Sequence, residues 1–418
     1  MSKSWPRSAR ILLLAFCLLS ALPAFALTLE LSEHDGDRLQ RRILASETPQ
    51  DADALRKLAA QGDATRDKTA DGTLIPLDST AQVAHYLRAA RLSAGIYVHL
   101  PALCPEGGCS GIRFVVRARH ILFGAVEADN LLEIDPAAAA DASVFFTNEE
   151  RPRLHDGLYV DPTLSDASAD RIIDSVDRIR AAYARIADRD LARGVGAIAT
   201  IARNDGGYTG FGGDSLNIIR MTFDNPRNVT EARMVDAFVT TYAHELGHKL
   251  QTPRLFELPQ GRLVTEGSAD FLKVIVLKRS GARIEQRTNE LVSSAFDQCL
   301  QRRGPHGLLQ RIESREADFS EYYDCGMVDY FALMFSRRTS EDEFVSELTL
   351  ALGDPSGTPA RTDGCYVLSP SCKDVVLADL MGDADHLRSR RGWFMGRLNE
   401  FASARPVMQS TAASSPPR

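Results

Sequence analysis

The chain has 418 residues, a formal net charge of −7 and 44% hydrophobic residues, a composition typical of a globular protein with a sizeable core. The acidic balance argues against nucleic acid and against an anionic membrane surface as partners, because both repel negative charge.

Residues 1–26 have the pattern of a cleavable signal peptide. Three basic residues precede a short apolar run over 11–22, and Ala24-Phe25-Ala26 offers the small residues that a signal peptidase requires. No later run is long enough to span a bilayer, so no stable membrane insertion is expected after cleavage. We therefore predict a secreted or periplasmic protein.

Residues 27–150 are predicted to form an N-terminal α/β extension of unknown role. Helical spacing occurs over 54–61 and 80–92. Segments 95–100 and 111–126 are rich in β-branched and aromatic residues, which favours strands. Nothing in this region indicates a chemical activity.

Residues 151–403 are predicted to form a second domain that begins with an amphipathic helix over 165–190. Two short apolar strands are expected at 196–202 and 216–223. A flexible loop is expected over the Gly-rich segment 206–213, between the two strands.

The next helix carries the motif His-Glu-x-x-His, in which His244 and His248 are four residues apart. On a helix this spacing places both imidazoles on one face, where they can bind one Zn²⁺ ion. Glu245, beside the metal, is then placed to take a proton from water. Thr230 is the expected N-cap of this helix.

A second helical run follows and carries two carboxylates on one face, Glu266 and Asp270. A catalytic zinc site usually has three protein ligands and one open position, and we predict Glu266 as the third ligand. Asp270 is predicted to accept the hydrogen bond from the far nitrogen of a ligand histidine. The competing interpretations are a helix-dipole role for Glu266 and a local ion pair for Asp270.

Six cysteines remain after the predicted cleavage, an even number that indicates disulfides in an exported protein. Proximity in the sequence favours the pairs Cys104–Cys109, Cys365–Cys372 and Cys299–Cys325. Reduced, buried thiols are the alternative.

The C-terminal half is mainly helical in its spacing, and its end, 404–418, is rich in Ser, Ala and Pro, which predicts a disordered tail. Helices are expected over 285–301, 306–315, 327–337, 340–351, 374–382 and 385–403.

The motif His244-Glu245-x-x-His248, followed by Glu266-Gly267-x-Ala269, resembles the gluzincin zinc metallopeptidases, in particular the alanyl and glycyl aminopeptidases. The resemblance implies an α+β, zincin-like catalytic domain, with a small sheet over a helical lower half.

A further resemblance concerns the segment around Tyr323, which is similar to the Tyr-x-Lys-Gly-Ala stretch of those enzymes. It implies that Tyr323 binds the oxyanion of the tetrahedral intermediate, although Cys325 stands where those enzymes have Lys. Their edge-strand Glu, which holds the free amine of the substrate, has no counterpart between Gly210 and Phe223. Asp214 could take its place, or the stretch could bind an extended peptide as an added strand.

The predicted function is hydrolysis of peptide bonds in a peptide or protein substrate by water activated at one Zn²⁺ ion. Glu245 would act as the general base, and the choice between exopeptidase and endopeptidase stays open. The alternative is a non-catalytic exported domain with structural or vestigial zinc that binds a peptide or a cell-envelope partner.

Overall fold

The structure is a computed structural model. It describes residues 27–34, 38–45, 68–69, 72–76, 89–104, 109–202, 210–257, 261–303, 311–312, 314, 317–337, 339–353 and 383–404. Its contacts separate two compact units. The first comprises Met1–Phe123 and Glu127–Arg151, and the second comprises Gly124–Val126 and Pro152–Arg418. That the N-terminal region has a role of its own stays a prediction.

The N-terminal unit is built on two sheets, with strand orders β10-β7-β1-β2-β4-β3 and β5-β6-β11-β8-β9. Its core contains Leu29, Val98, Phe114 and Phe146, all fully buried. The strands are β1 Leu27–His34, β2 Arg38–Ala45, β3 Lys68–Thr69, β4 Gly72–Pro76, β5 Ala89–Leu92, β6 Gly95–His99, β7 Ile112–Arg117, β8 His120–Phe123, β9 Val126–Asp129, β10 Leu132–Ile134 and β11 Ser143–Thr147. A 3-10 turn, Leu100–Leu103, and a short helix, α1 (Pro136–Ala139), connect them.

The strands expected at 95–100 and 111–126 are confirmed by β6, β7 and β8. The helix expected over 80–92 is wrong at its end, because Ala89–Leu92 pairs with β6 in an antiparallel hairpin. The partner strand outweighs the helical spacing of these residues. Residues 80–88 and the helix expected over 54–61 lie outside the described residues.

The second unit begins with a five-stranded sheet of order β12-β13-β14-β16-β15. Its inner strands β13, β14 and β16 are parallel, whereas β12 and β15 run antiparallel to their neighbours at the two edges. The strands are β12 Arg153–His155, β13 Leu158–Val160, β14 Gly196–Ala202, β15 Gly210–Ser215 and β16 Ile218–Asp224. The loop expected over 206–213 is therefore partly wrong, since its last four residues belong to β15.

One helix of this unit lies between β13 and β14 in the chain, and the others follow β16. They are α2 Asp166–Ala187, α3 Glu231–Gly247, α4 Gly261–Ser280, α5 Thr288–Arg302, α6 Phe319–Ser336, α7 Glu341–Gly353 and α8 Ala384–Ser403. Short 3-10 turns at His248–Leu250 and Pro253–Glu257 separate α3 from α4. The expected α+β class is thus confirmed, with a small sheet and a mainly helical C-terminal part.

Three of the six expected C-terminal helices, 285–301, 340–351 and 385–403, are confirmed within a few residues by α5, α7 and α8. The helix expected at 327–337 begins earlier, at Phe319, because Asp318 and Glu321 form a capping box there. Helix 374–382, most of helix 306–315, the tail 404–418 beyond Ala404, and the predicted signal peptide lie outside the described residues.

Two of the expected disulfides, Cys104–Cys109 and Cys299–Cys325, are confirmed. Cys365–Cys372 lies outside the described residues. Among the helices that are described, none has the length and hydropathy to cross a bilayer.

Candidate metal centre

Helix α3 presents the two histidines of the motif. Its N-cap is Thr230, as expected, whose side chain accepts a hydrogen bond from the amide of Arg233. Phe238, Tyr242 and Leu246 are fully buried and fix the rotation of the helix against the core. His248, at the C-cap, keeps αR backbone angles, so the four-residue spacing from His244 still follows helical geometry.

Three side-chain atoms converge at one point. The Nε2 atoms of His244 and His248 lie 3.0 Å apart. Glu266 Oε2, from α4, lies 3.3 Å from the first nitrogen and 3.4 Å from the second. Ligands about 2.0–2.1 Å from a tetrahedral zinc ion are about 3.3–3.4 Å from one another, so the triangle has the size of a zinc site.

The far nitrogen of each imidazole is fixed by a partner. His244 Nδ1 lies 2.6 Å from Asp270 Oδ1, and His248 Nδ1 lies 2.9 Å from Gln251 Oε1. The amide nitrogen of Gln251 donates to the carbonyl oxygen of Thr265 at 2.7 Å, so its oxygen must face His248. Both rings therefore carry hydrogen on Nδ1 and turn Nε2 toward Glu266, and in the neutral ring the Nε2 lone pair is available to a metal ion.

The charges around the imidazoles favour a cation. Burial alone lowers the pKa of His244, but the negative charge of Asp270 and hydrogen bonds to Asp270 and Glu266 outweigh it and raise that pKa to about 10. Burial opposes ionisation of Glu266, yet hydrogen bonds from both histidines lower its pKa to about 2. Asp270 also has a lowered pKa, since Lys273 and His244 outweigh its burial. The carboxylates around His244 therefore favour a positive charge at this position, supplied by a proton or by a metal ion.

The three converging residues fit a divalent metal ion with nitrogen and oxygen ligands. His244, His248 and Glu266 each offer one ligand atom, and these atoms lie within 4.8 Å of one another. Glu266 Oε2 is buried, and the two Nε2 atoms lie 3.3 and 3.4 Å from it. Two lone pairs and a carboxylate oxygen at these distances repel one another, and a cation between them removes the repulsion.

Glu245 follows the first histidine and faces the edge strand β15. A Cβ atom placed on Gly213 would lie 3.4 Å from Glu245 Oε1 and 3.0 Å from Thr241 Cγ2. Ser215, two residues along the strand, donates its hydroxyl to the backbone carbonyl of Glu245 at 3.3 Å. The strand therefore passes directly over the predicted general base, and glycine keeps the space beside its carboxylate open.

Tyr323 lies on α6, and its ring centroid is 5.5 Å from that of His244. Burial, followed by the charge of Glu266 and a hydrogen bond to it, holds the pKa of Tyr323 well above its usual value. The phenol therefore stays protonated and remains a hydrogen-bond donor at neutral pH.

The position of Tyr323 depends on a close crossing of α4 and α6. A Cβ atom on Gly326 would come within 2.6 Å of the Cα atom of Gly267, so the two backbones touch. Gly267 follows the predicted ligand Glu266, and Gly326 lies three residues after Tyr323. The crossing thus sets the tyrosine against the metal centre.

Two further contacts tie the tyrosine segment to α5. Cys325 forms a disulfide with Cys299, and Asp324 pairs with Arg302. Both cysteines are fully buried. The segment of α6 that carries Tyr323 is therefore held by α4 on one side and by α5 on the other.

The structure brings together all six predicted site residues: His244, Glu245, His248, Glu266, Asp270 and Tyr323. Three contributors were missed by the sequence analysis: Gln251, Lys273 and the glycine at 326. Lys273 donates to Asp270 Oδ1 at 2.7 Å, at a spacing of three residues that the sequence already displays. The role of Gln251 depends on the 3-10 turn after α3, which the motif does not predict.

The chain is similar to known proteins in structure. No protein-family model and no curated protein matches the chain. Structural neighbours are zinc metallopeptidases. Native yeast LTA4 hydrolase is 11% identical, with a TM-score of 0.42 over 78% of this chain and 61% of that chain. An M1 zinc metallopeptidase from Deinococcus radiodurans is 12% identical, with a TM-score of 0.36 over 88% and 92%. A variant of that enzyme bound to the peptide Tyr-Ser-Ala is 12% identical, with a TM-score of 0.40 over 89% and 93%.

The chain spans about three fifths of the yeast LTA4 hydrolase that it matches. With TM-scores below 0.5, the likeness is too distant to assign a function to this chain.

Proposed function

We propose that this protein is an exported zinc-dependent peptidase that hydrolyses peptide bonds with an activated water molecule. The observation that carries the proposal is the convergence of two imidazole lone pairs and one carboxylate within 3.0–3.4 Å. A carboxylate and a protonated phenol lie beside that point. His244, His248 and Glu266 would hold the ion, one per chain.

When bound, zinc lowers the pKa of a water molecule toward neutrality and polarises a substrate carbonyl. Glu245 accepts the proton of the attacking water and later gives it to the leaving amine. Its position beside the predicted ligand His244 and under Gly213 suits both transfers, because the same carboxylate reaches the water and the scissile bond.

Tyr323 donates its hydroxyl hydrogen to the oxyanion that develops as the carbonyl is attacked. Its raised pKa supports this role, because a phenol that stays protonated can donate throughout the reaction. The contacts with α4 and α5 hold the ring in place before the substrate arrives, so little reorganisation is needed in the transition state.

Asp270 and Gln251 act on the histidines and not on the substrate. By accepting the Nδ1 hydrogens, they keep both Nε2 lone pairs directed at the ion position. Lys273 in turn balances the charge of Asp270, so the carboxylate can lie in a buried place.

Strand β15 is the expected platform for the substrate. It is an edge strand of the sheet, so among the described strands one of its two edges has no partner strand. An extended peptide can add to such an edge through main-chain hydrogen bonds. Gly213 would bring that peptide next to Glu245.

Export is proposed from residues 1–26, and the Cys299–Cys325 and Cys104–Cys109 disulfides are compatible with it, since disulfides persist in oxidising compartments. The competing function, a peptide-binding domain with structural zinc, requires a fourth protein ligand that closes the site. Among the described residues the group contains three such ligands.

The test is incubation of the zinc-loaded protein with a mixed peptide library, followed by mass spectrometry. We expect cleavage by the natural protein, none by Glu245→Gln, and normal cleavage by Glu400→Gln, an exposed glutamate on α8. A library left intact by protein with a full zinc complement would favour the binding domain. The positions of the cuts also distinguish an exopeptidase from an endopeptidase.

A further inference from the structure

Beside the metal centre, an aromatic surface runs outward to solvent. The ring of Tyr323 lies 5.5 Å from that of His244, and the ring of Phe319 lies 5.3 Å from that of Tyr323. Phe319 begins α6 and is 53% exposed, unusual for a large apolar side chain at the start of a helix whose later residues form core. The exposed ring therefore borders the position where a substrate must lie.

An arginine covers this ring. The guanidinium carbon of Arg262 is 5.5 Å from the centroid of Phe319, within the range of a cation–π contact. Arg262 is exposed and lies four residues before Glu266 on α4. It therefore shares a helix face with the predicted metal ligand, about 6 Å from it along the helix axis.

The guanidinium of Arg262 lies over an aromatic ring. No carboxylate among the described residues lies within ion-pair distance of it. Lys273, by contrast, donates to Asp270 at 2.7 Å, and Lys249 donates to the carbonyl oxygen of Leu216 at 2.6 Å. Arg262 thus contacts an aromatic ring, whereas Lys273 and Lys249 each donate to an oxygen of the protein.

Arg262 and Phe319 together suit a planar anion such as a carboxylate. A guanidinium is planar, and two of its N–H donors can bind one carboxylate side by side. The exposed part of Phe319 offers apolar surface to the substrate atoms next to that carboxylate. The rings of Tyr323 and Phe319 are 5.3 Å apart, which at about 3.3 Å per residue corresponds to about two residues of extended peptide.

We propose that Arg262 and Phe319 form a subsite for a carboxylate of the peptide substrate, about two residues from the scissile bond. The proposal rests on the proposed peptidase function. The carboxylate has two possible sources, the C-terminus of a short peptide and the side chain of Asp or Glu. Both present the same group to the guanidinium.

The test uses matched peptides that share one cleaved bond. In the first pair, the C-terminus lies two residues beyond the cleaved bond and is either free or amidated. In the second pair, the residue two positions from the bond, on either side, is either Glu or Gln. We expect Arg262→Gln to lower kcat/KM for the carboxylate-bearing peptides by about 10- to 100-fold, mostly through KM, because a charged hydrogen-bonded contact is lost. The neutral peptides should change less than about threefold.

The two peptide pairs distinguish the two sources of the carboxylate, because only one pair should respond strongly to Arg262→Gln. Phe319→Leu should give a smaller loss on the same peptides. The matched control is Arg390→Gln, in which the arginine also covers an exposed ring, that of Trp393 at 6.0 Å, but lies on α8. This control should leave every peptide unaffected.

Binding gives a readout that does not depend on turnover. Calorimetric titration of the carboxylate and neutral peptides into Glu245→Gln, with and without Arg262→Gln, should show the same preference in Kd. If Arg262→Gln weakened the binding of charged and neutral peptides equally, or did not weaken it, the proposed subsite would be contradicted. The proposed peptidase function would not be affected by that result. Failure of the natural protein to cleave any peptide would instead remove the proposed function, and the subsite with it.

Discussion

The Nε2 atoms of His244 and His248 lie 3.0 Å apart, while the Nδ1 hydrogen of each ring is already donated to another side chain. A neutral ring then has no hydrogen on Nε2, and two facing lone pairs at this distance are unfavourable unless a proton or a metal ion lies between them. The outer hydrogen bonds therefore prepare both rings to bind a cation.

Glu245→Gln is expected to keep zinc and lose turnover. The amide has nearly the same shape as the carboxylate but cannot accept the proton of the attacking water, so kcat should fall by about 100- to 10,000-fold. The measurement is kcat on a peptide found by the library, together with zinc content. Retained turnover would assign the base to another group.

Tyr323→Phe removes one hydroxyl and keeps the ring against His244. We expect kcat to fall by about 100- to 1,000-fold, as for loss of one oxyanion donor, with KM nearly unchanged. Steady-state kinetics on the same peptide give both constants. An unchanged kcat would make this tyrosine a packing residue.

Asp270→Asn should weaken zinc binding. The asparagine amide is a weaker hydrogen-bond acceptor for His244 Nδ1, and it carries no charge to pair with Lys273. Loss of such a contact lowers metal affinity by about 10- to 100-fold. Competition with a coloured chelator measures the change. Asp297→Asn, on the exposed face of α5, is the control. Equal affinities in the two variants would show that Asp270 does not act on the metal centre.

Gly326→Ala tests the contact between α4 and α6. The added carbon would meet backbone at 2.6 Å, so the helices must separate, and we expect a loss of about 1–3 kcal/mol in the free energy of unfolding. Activity should also fall, since Tyr323 moves with α6. Gly396→Ala meets nothing within 4 Å and should gain about 1 kcal/mol from helix propensity. Thermal unfolding compares the two, and equal midpoints would contradict the close crossing.

Removal of the Cys299–Cys325 disulfide should reduce both stability and rate. A bond between cysteines 26 residues apart contributes about 3 kcal/mol by restricting the unfolded chain. If the disulfide also holds Tyr323 in place, the double variant Cys299→Ala, Cys325→Ala should lower kcat in the natural protein. In a protein that already carries Tyr323→Phe, the same double variant should lower kcat much less. Additive losses in kcat would restrict the bond to a role in stability.

The sequence predicted the parts of this site that depend on local spacing. A four-residue interval on one helix places His244 and His248 together, and the same interval on the next helix relates Glu266 to Asp270. The start of α6 also has a local signal, because Asp318-x-x-Glu321 has the sequence of a capping box.

Other parts depend on contacts between distant residues, which spacing does not contain. The strand β5 forms because β6 lies beside it, and the Gly-rich β15 forms because it pairs with β16. The approach of Gly326 to Gly267 likewise joins two helices that are distant in the chain.

The proposed function depends on one zinc ion bound by His244, His248 and Glu266. Its most direct test is the zinc content of the purified protein, with X-ray absorption at the zinc edge, compared among the natural protein, the three variants His244→Ala, His248→Ala and Glu266→Gln, and the controls His155→Ala and Glu257→Gln. The claim predicts one zinc per chain in the natural protein and both controls, with two imidazoles and no sulfur around it, and little zinc in the three variants. A full zinc complement retained by all three variants would contradict it.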